Sequence, residues 1–358
     1  MTQLFPTIAP YNVQNARAQS AYQLLGQEVS QYAEQLRASG NTSQFYESIA
    51  YTPYDVAGFS YPNTSTITWP ELYGPEQYHG DNFTNLFGRR YFDPLYTMVA
   101  GGIVVSGYGN RSSLPQQVFQ SENIILVSNG ACDSACAIFV HFLKYQGKVK
   151  QIAIGGRPQE GPMQPVGGTR GTQDEPLKRI FEFTAGIEQQ ATPQDVAQLN
   201  KTELATIDSK GSYVLSRAIN YDGASVNLYN HIAQNDTTLT PLQFTYEAAD
   251  CRIFYTAETA VNVSASWAKI ADVWKGGLAD CIAGSTGQPS SLSGNAQLYN
   301  GGVPSNVSTF EIPANTPNQN GTGTSGNAAA TYTGSAVSVS QNTVPLLVVA
   351  TLAIGLLA

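Results

Sequence analysis

The sequence is poor in charge. Asp, Glu, Lys and Arg make up only 12% of its 358 residues, about half the share usual in globular domains. The 18 Lys and Arg are outnumbered by 26 Asp and Glu, for a net charge of −8. No run of basic residues offers a footprint for a phosphate backbone, so nucleic acid is not an expected partner. Histidine is scarce, with His79, His141 and His231 scattered along the chain. Of the four cysteines, Cys132 and Cys136 have no matching Cys or His pair, so a zinc site is not expected, nor is any cofactor. The first 14 residues carry neither a basic stretch nor an apolar stretch, so they do not read as a secretion leader. Long apolar runs are missing until the last 15 residues.

What is there suffices for a large core. The hydrophobic share is 42% and the aromatic share 10%, and this length supports one or two domains. The most informative stretch is Asn129-Gly130-Ala131-Cys132-Asp133-Ser134-Ala135-Cys136. Before it, Ile124-Ile125-Leu126-Val127 has the β-branched content of a buried strand. After it, residues 135–145 keep a helical pattern closed by Gly147, and Ile152-Ala153-Ile154 forms a second strand ending in Gly155-Gly156. Strand, turn, helix and strand make a βαβ unit. Ser134 then falls at the first turn of the helix, its hydroxyl beside free helix-start N–H groups. A nucleophilic serine needs an exposed Oγ and donors for a developing oxyanion, and this placement supplies both. Asp and Ser are also common helix caps, which gives the same residues a purely structural reading.

The segment from Ser121 to Gly171 resembles the tail-specific (C-terminal-processing) serine peptidases. It carries the Ile-Leu-Val-Ser-Asn-Gly-x-Cys-x-Ser-x-Cys-x-Ile-Phe core and the later Ile-Gly-Gly-Arg-Pro. It is most similar to their fungal branch, related to the chlamydial protease-like activity factor. Two other stretches resemble that branch: Gln3-Leu4-Phe5-Pro6, and residues 241–256 with Tyr246-Glu247-Ala248-Ala249-Asp250-Cys251-Arg252. The resemblance implies an α/β, crotonase-like (ClpP-like) spiral core over residues 1–284 and endopeptidase activity on protein or peptide substrates. It also implies Ser134 as nucleophile and Glu247 as the acidic group that orients a base, with Ala135 and Gly156 N–H groups as oxyanion donors. For Glu247 a structural carboxylate bonded to Arg252 or to a backbone amide is the competing reading.

The base is the gap. Most of the family uses a Lys shortly after the strand that follows the nucleophile helix, but here that place reads Gly155-Gly156-Arg157-Pro158. Arginine stays protonated and cannot take the proton. Lys148 and Lys150 precede the strand. His141 shares a helix face with Ser134 but lies about 10 Å along the axis, and reads as a packed residue. His79 falls in an irregular insert, and His231 in a helix or loop. The branch it resembles takes its His, its secretion signal and a glycine-rich strand-turn from a segment before the part present here, so a partial chain is expected. The alternative is a non-catalytic cell-surface or wall-binding protein on the same scaffold.

Elsewhere, spacing predicts a helix over 15–38, a turn-rich aromatic insert over 42–111, and a glycine- and proline-rich loop over 158–172. Further helices are expected over 192–201 and 263–275, and strands over 242–246 and 252–255. Trp267, Ile270 and Trp274 share one helix face and read as core. Cys251 and Cys281 are placed to form a structural disulfide, and Cys132 and Cys136 could bridge around Ser134, with connectivity left open. Nine of the 23 asparagines stand in glycosylation sequons: Asn41, Asn63, Asn82, Asn110, Asn200, Asn235, Asn262, Asn306 and Asn320. Residues 285–343 turn to Ser, Thr, Gly and Asn, the composition of a disordered stalk. Residues 344–358 form an uncharged tail, shorter than the roughly 17–25 residues of a membrane span. With small residues upstream at Gly334 and Asn327, the tail reads as a GPI-attachment signal. The expected location is therefore extracellular, at the cell surface, held to the membrane through the anchor.

Overall fold

In the computed structural model the described residues are 1, 3–8, 10–40, 49–60, 67–78, 80–89, 106–107, 111–114, 116–168, 170–190, 192–202, 225–233 and 236–296. The expected stalk beyond 296, the apolar tail, His79, and the asparagines Asn41, Asn63, Asn110, Asn235, Asn306 and Asn320 lie outside them, as do Gly334 and Asn327.

A three-stranded parallel sheet organises the site. Its strands are β6 (Ile125–Ser128), β7 (Lys150–Ile154) and β10 (Cys251–Ile253), in the order β10-β7-β6. The pairing is parallel throughout, with Val127 opposite Ile152 and Cys251 opposite Ile152. Side chains alternate between the two faces of a strand, and both faces here are covered. On one face Leu126 packs with Ala137, Val140 and Leu143 of helix α3 (Ser134–His141) and its π-helical last turn, Phe142–Gln146. On the other, Ile125, Ile152, Ile154 and Ile253 pack with Ile270 and Val273 of helix α7 (Val263–Lys275). Burial on both faces explains the continuous apolar runs of these strands, whereas a half-exposed strand would alternate. Each fully buried Ile or Leu contributes about 1.5–3 kcal/mol of transfer free energy. The expected βαβ unit is present.

A second sheet, antiparallel, has the order β1-β9-β8, with β1 (Val13–Ala16), β9 (Ser225–Ile232) and β8 (Gln173–Pro176). Helices α1 (Ser20–Ala38) and α4 (Leu177–Gln190) cover it. Tyr22, Leu25, Val29 and Ala33 of α1 join Phe183, Ile187 and Tyr229 in one core. Short elements complete the described insert: β2 (Phe59–Ser60), α2 (Trp69–Tyr73), β3 (Glu76–Tyr78), β4 (Asp81–Phe83) and β5 (Gly88–Arg89). Helix α5 (Pro193–Leu199) lies within the 192–201 expectation, a short helix α6 (Ala257–Val261) precedes α7, and α7 has the expected ends. Ile270 is buried, while Trp267 and Trp274 are half-buried.

Three expectations are corrected. Residues 15–38 are not one helix: the chain enters as strand β1, held antiparallel to β9, and turns helical at Ser20. Helical spacing of apolar residues cannot reveal a four-residue strand whose partner lies more than 200 positions away. His231 stands in β9, not in a helix or loop. The predicted strand over 242–246 is a 3-10 turn, Leu242–Phe244, with Phe244 75% exposed. Residues just past 285 also pack into the fold, since Ser285, Gln288, Ser290 and Ser291 are buried. Composition alone places the start of the stalk there.

Candidate active site

Ser134 opens helix α3 at the carboxyl end of the parallel strands. Its φ is +47°, in the left-handed region that costs a residue with a side chain. The turn leading to it is held by a chain of hydrogen bonds. Gly130 N–H donates to Ser128 Oγ at 3.0 Å, Ala131 N–H to Asn129 Oδ1 at 3.0 Å, and Cys132 N–H to Gly130 O at 2.9 Å. Asp133 occupies the cap position but makes no side-chain capping bond; its carbonyl accepts from Cys136 and Ala137 N–H. The Cys132–Cys136 disulfide closes over the turn and brackets the serine. Ser134 is half-buried and Ala135 exposed. Helix-start N–H groups have no intrahelical acceptor, so the amide of Ala135 stands beside the hydroxyl.

The 161–170 loop crosses this turn closely. Gly167 N–H donates to Gly130 O at 2.8 Å, and a Cβ at Gly167 would stand 2.9 Å from that same oxygen, so the crossing requires glycine. The side chain of Met163 joins the two halves of the site. Its Cε lies 2.9 Å from where a Cβ of Gly130 would be, and its Sδ 2.9 Å from that of Gly156. Gly156 follows β7 at the same sheet end as Ser134, with φ +81°.

Glu247 stands elsewhere in the unit, in a buried ionic cluster. Its Oε2 accepts from Arg170 at 2.8 Å and from Lys144 at 3.3 Å. Lys144 is ten residues past Ser134 on the same helical run, roughly 15 Å along the axis, though helical side chains slant back toward the helix start. Burial pushes the Glu247 carboxyl up, but Arg170 and then Lys144 outweigh it and hold it below the usual carboxylate range. Burial likewise lowers the Lys144 ammonium. Glu247 Oε1 is buried and has no partner among the described residues.

The two described histidines, His141 and His231, make no hydrogen bond to Ser134. His141 and His231 are buried and face each other, ring centroids 4.5 Å apart. Burial, reinforced by Arg170 and Lys144, lowers His141 to about 3. Burial and the neighbouring His141 carry His231 well below its ordinary value. Among the described residues the Ser134 hydroxyl has no hydrogen-bond partner, and no three His, Cys, Asp or Glu side chains converge as a metal would require. Arg252, weighed above as the partner of Glu247, instead donates to backbone carbonyls of the 155–161 loop.

Sequence reading missed Arg170 and Lys144 as the partners of Glu247. The available signal was weak: an arginine in a glycine-rich loop, and a lysine three places after His141 on the helix. The second disulfide, Cys251–Cys281, is formed as expected. Of the described sequons, Asn82, Asn200 and Asn262 are exposed. No helix among the described residues is long and apolar enough to cross a membrane.

A groove of about 500 Å³ runs beside the turn. Its lining includes residues 124–129 along β6, Phe139 and Val140 of α3, and Tyr255, Trp267 and Ile270. No charged side chain is among its lining, and β6 is the outer strand of its sheet among the described residues.

The chain is similar to fungal proteins of one named family. It is 37% identical over 228 residues to the Peptidase S41 family protein ustP of Aspergillus flavus, covering 62% of this chain and 46% of that protein. It is 32% identical over 238 residues to the Peptidase S41 family protein phomP1 of Diaporthe leptostromiformis, covering 59% and 35%. The match spans less than half the length of each of these curated relatives. No family model matches the chain, and no solved structure does. Both of these relatives are named as peptidase S41 family proteins.

Proposed function

We propose that this chain forms the nucleophile-bearing part of a secreted serine-type endopeptidase on a crotonase-like core. The observation that carries the reading is Ser134, held at positive φ at a helix start beneath a disulfide. In the proposed reaction Ser134 Oγ attacks the scissile carbonyl carbon as a base takes its proton. The oxyanion is held by the N–H groups of Ala135 and Gly156, the amine leaves with a proton returned by the base, and water then hydrolyses the acyl-enzyme. The base comes from outside the described residues. Glu247 orients it through Oε1, the oxygen that Arg170 and Lys144 leave unpartnered. The open edge of β6 and its uncharged groove suit an extended peptide with apolar side chains.

The two disulfides fit an oxidising, extracellular setting. Glycans at the sequons and a GPI anchor on the tail complete the proposal for the whole product. The lack of a base beside Ser134 among the described residues favours one competing reading, a non-catalytic surface-binding relative.

A fluorophosphonate probe separates the two. The 358-residue chain should label at trace level, and an upstream-extended in-frame form strongly at Ser134. Ser134→Ala should remove both label and proteolysis, because losing a nucleophile costs several orders of magnitude in rate. An extended form that neither labels nor cleaves would establish the binding protein instead.

A further inference from the structure

We propose that Arg252 is a positioning residue that aims the Gly156 N–H at the oxyanion, an inference that rests on the peptidase reading above. Arg252 sits in the middle of β10 and is 2% exposed. Its guanidinium meets no carboxylate among the described residues. It donates instead to four carbonyls of one loop: Nε to Gly155 O at 2.9 Å, Nη1 to Gln159 O at 3.0 Å and Gly161 O at 3.3 Å, and Nη2 to Arg157 O.

Peptide geometry turns this anchoring into a direction. A peptide unit is planar and trans, so its N–H points opposite to its C=O. With Gly155 O drawn onto Arg252, the N–H of Gly156 faces away from the guanidinium. The carbonyls of Arg157 and Gly161 precede Pro158 and Pro162, whose peptide units carry no N–H. Only the 155–156 and 159–160 units therefore offer an aimed donor, and the first adjoins the sheet end where Ser134 stands.

Freedom at this place would otherwise be high. Gly155 and Gly156 both have positive φ, at +96° and +81°, a conformation glycine enters and leaves readily. A cation bonded to the carbonyl end of the unit also polarises it and strengthens the N–H as a donor. Arg252 is fixed in its turn. Its carbonyl accepts from Ile282 N–H at 2.8 Å and its N–H donates to Ser285 Oγ at 3.2 Å, beside the Cys251–Cys281 disulfide.

The test compares wild type with Arg252→Ala, Arg252→Lys and Ser134→Ala. Hydrogen–deuterium exchange is measured on the full chain, and fluorophosphonate labelling and peptide turnover on the form that labels. In Arg252→Ala, amides of 155–161 should exchange about tenfold faster while β6 and α3 keep their protection. Labelling and kcat should fall about 100-fold, the size of losing one oxyanion donor, with KM little changed. Added guanidinium ion should restore labelling in Arg252→Ala, which it would not do for a general loss of structure. Should Arg252→Ala fail to fold, Arg252→Lys keeps the charge but reaches fewer carbonyls, and the same readings apply. Exchange at the wild-type rate over 155–161 in a folded variant overturns the proposal, as does unchanged labelling. Labelling that survives Ser134→Ala overturns the nucleophile reading instead, and the exchange result still decides whether Arg252 holds the loop.

Discussion

Arg170 and Glu247 meet at 2.8 Å with each side chain only 7% exposed, and Lys144 closes on the same carboxylate oxygen. Two cations and one anion are thus held out of water, joining the 161–170 loop, the helical run that begins with α3 and the approach to β10. Such a group is stable only while the anion is present. Glu247→Gln would leave Arg170 and Lys144 uncompensated, and roughly 3–5 kcal/mol of stability should be lost. Urea unfolding of the two proteins measures this directly. A loss under about 1 kcal/mol would mean that the cluster is hydrated in solution.

The paired histidines predict acid sensitivity. His141 is held near 3 and His231 well below its ordinary value, first by burial. The unfolded chain takes up protons near 6.5, so between about 6.5 and 3 it binds more protons than the fold does. Stability is then complete above about pH 6.5 and falls as pH falls through this window. Glu247, with its depressed value, adds a loss of the same sign below about 4.5. Thermal midpoints from pH 8 to 4 should decline, and His141→Phe should flatten the upper part of that decline. A midpoint independent of pH over this range would show that the pair is not buried neutral.

The two disulfides should contribute unequally. Cys251–Cys281 closes a 30-residue separation and Cys132–Cys136 one of four. Loop-closure entropy gives about 4 kcal/mol for the first and about 2 for the second. Denaturation of the paired Cys→Ala variants should therefore rank them in that order. Loss of the short bridge should act chiefly on Ser134 labelling, because it frees the turn and spares the core.

Gly26 tests the packing of α1. A Cβ there would fall 1.7 Å from a ring atom of Trp69, and the indole is buried. Gly26→Ala would ordinarily stabilise a helix by about 1 kcal/mol. Here it should destabilise by about 1–3 kcal/mol through overpacking, which calorimetry would detect. A gain in stability would place Trp69 elsewhere.

Secretion and anchoring are checked on cells. A glycosidase that removes N-linked glycans should shift the product's mobility, and Asn82→Gln, Asn200→Gln and Asn262→Gln should each remove part of that shift. A phosphatidylinositol-specific phospholipase should release the protein from intact cells. Retention after that treatment, with extraction only as an integral species, would refute the lipid anchor.

The βαβ unit was legible because its signals are local. The run Ile125–Ser128 must be buried on both faces, Gly130 and Ser134 mark a turn, and residues 134–146 keep helical spacing up to Gly147. Helix α7 was legible for the same reason, with Asn262 capping its start through Ser264 and Ala265 N–H. Strand β1 and the turn at Leu242–Phe244 were not. The first exists through pairing with β9, and the second is a matter of backbone dihedrals that apolar alternation does not encode.

At the site the same division holds. The sequence by itself determined the turn that carries Ser134, the cysteines that bracket it and the lack of a lysine after β7, since each depends on neighbours within a few positions. Only the tertiary structure decided that Glu247 faces Arg170 and Lys144, that His141 and His231 pair with each other and not with Ser134, and that Arg252 grips the 155–161 loop. Those contacts join positions about 75 to 105 residues apart. Nothing in local propensity or spacing carries them; they exist because two faces of one small parallel sheet must be covered at once.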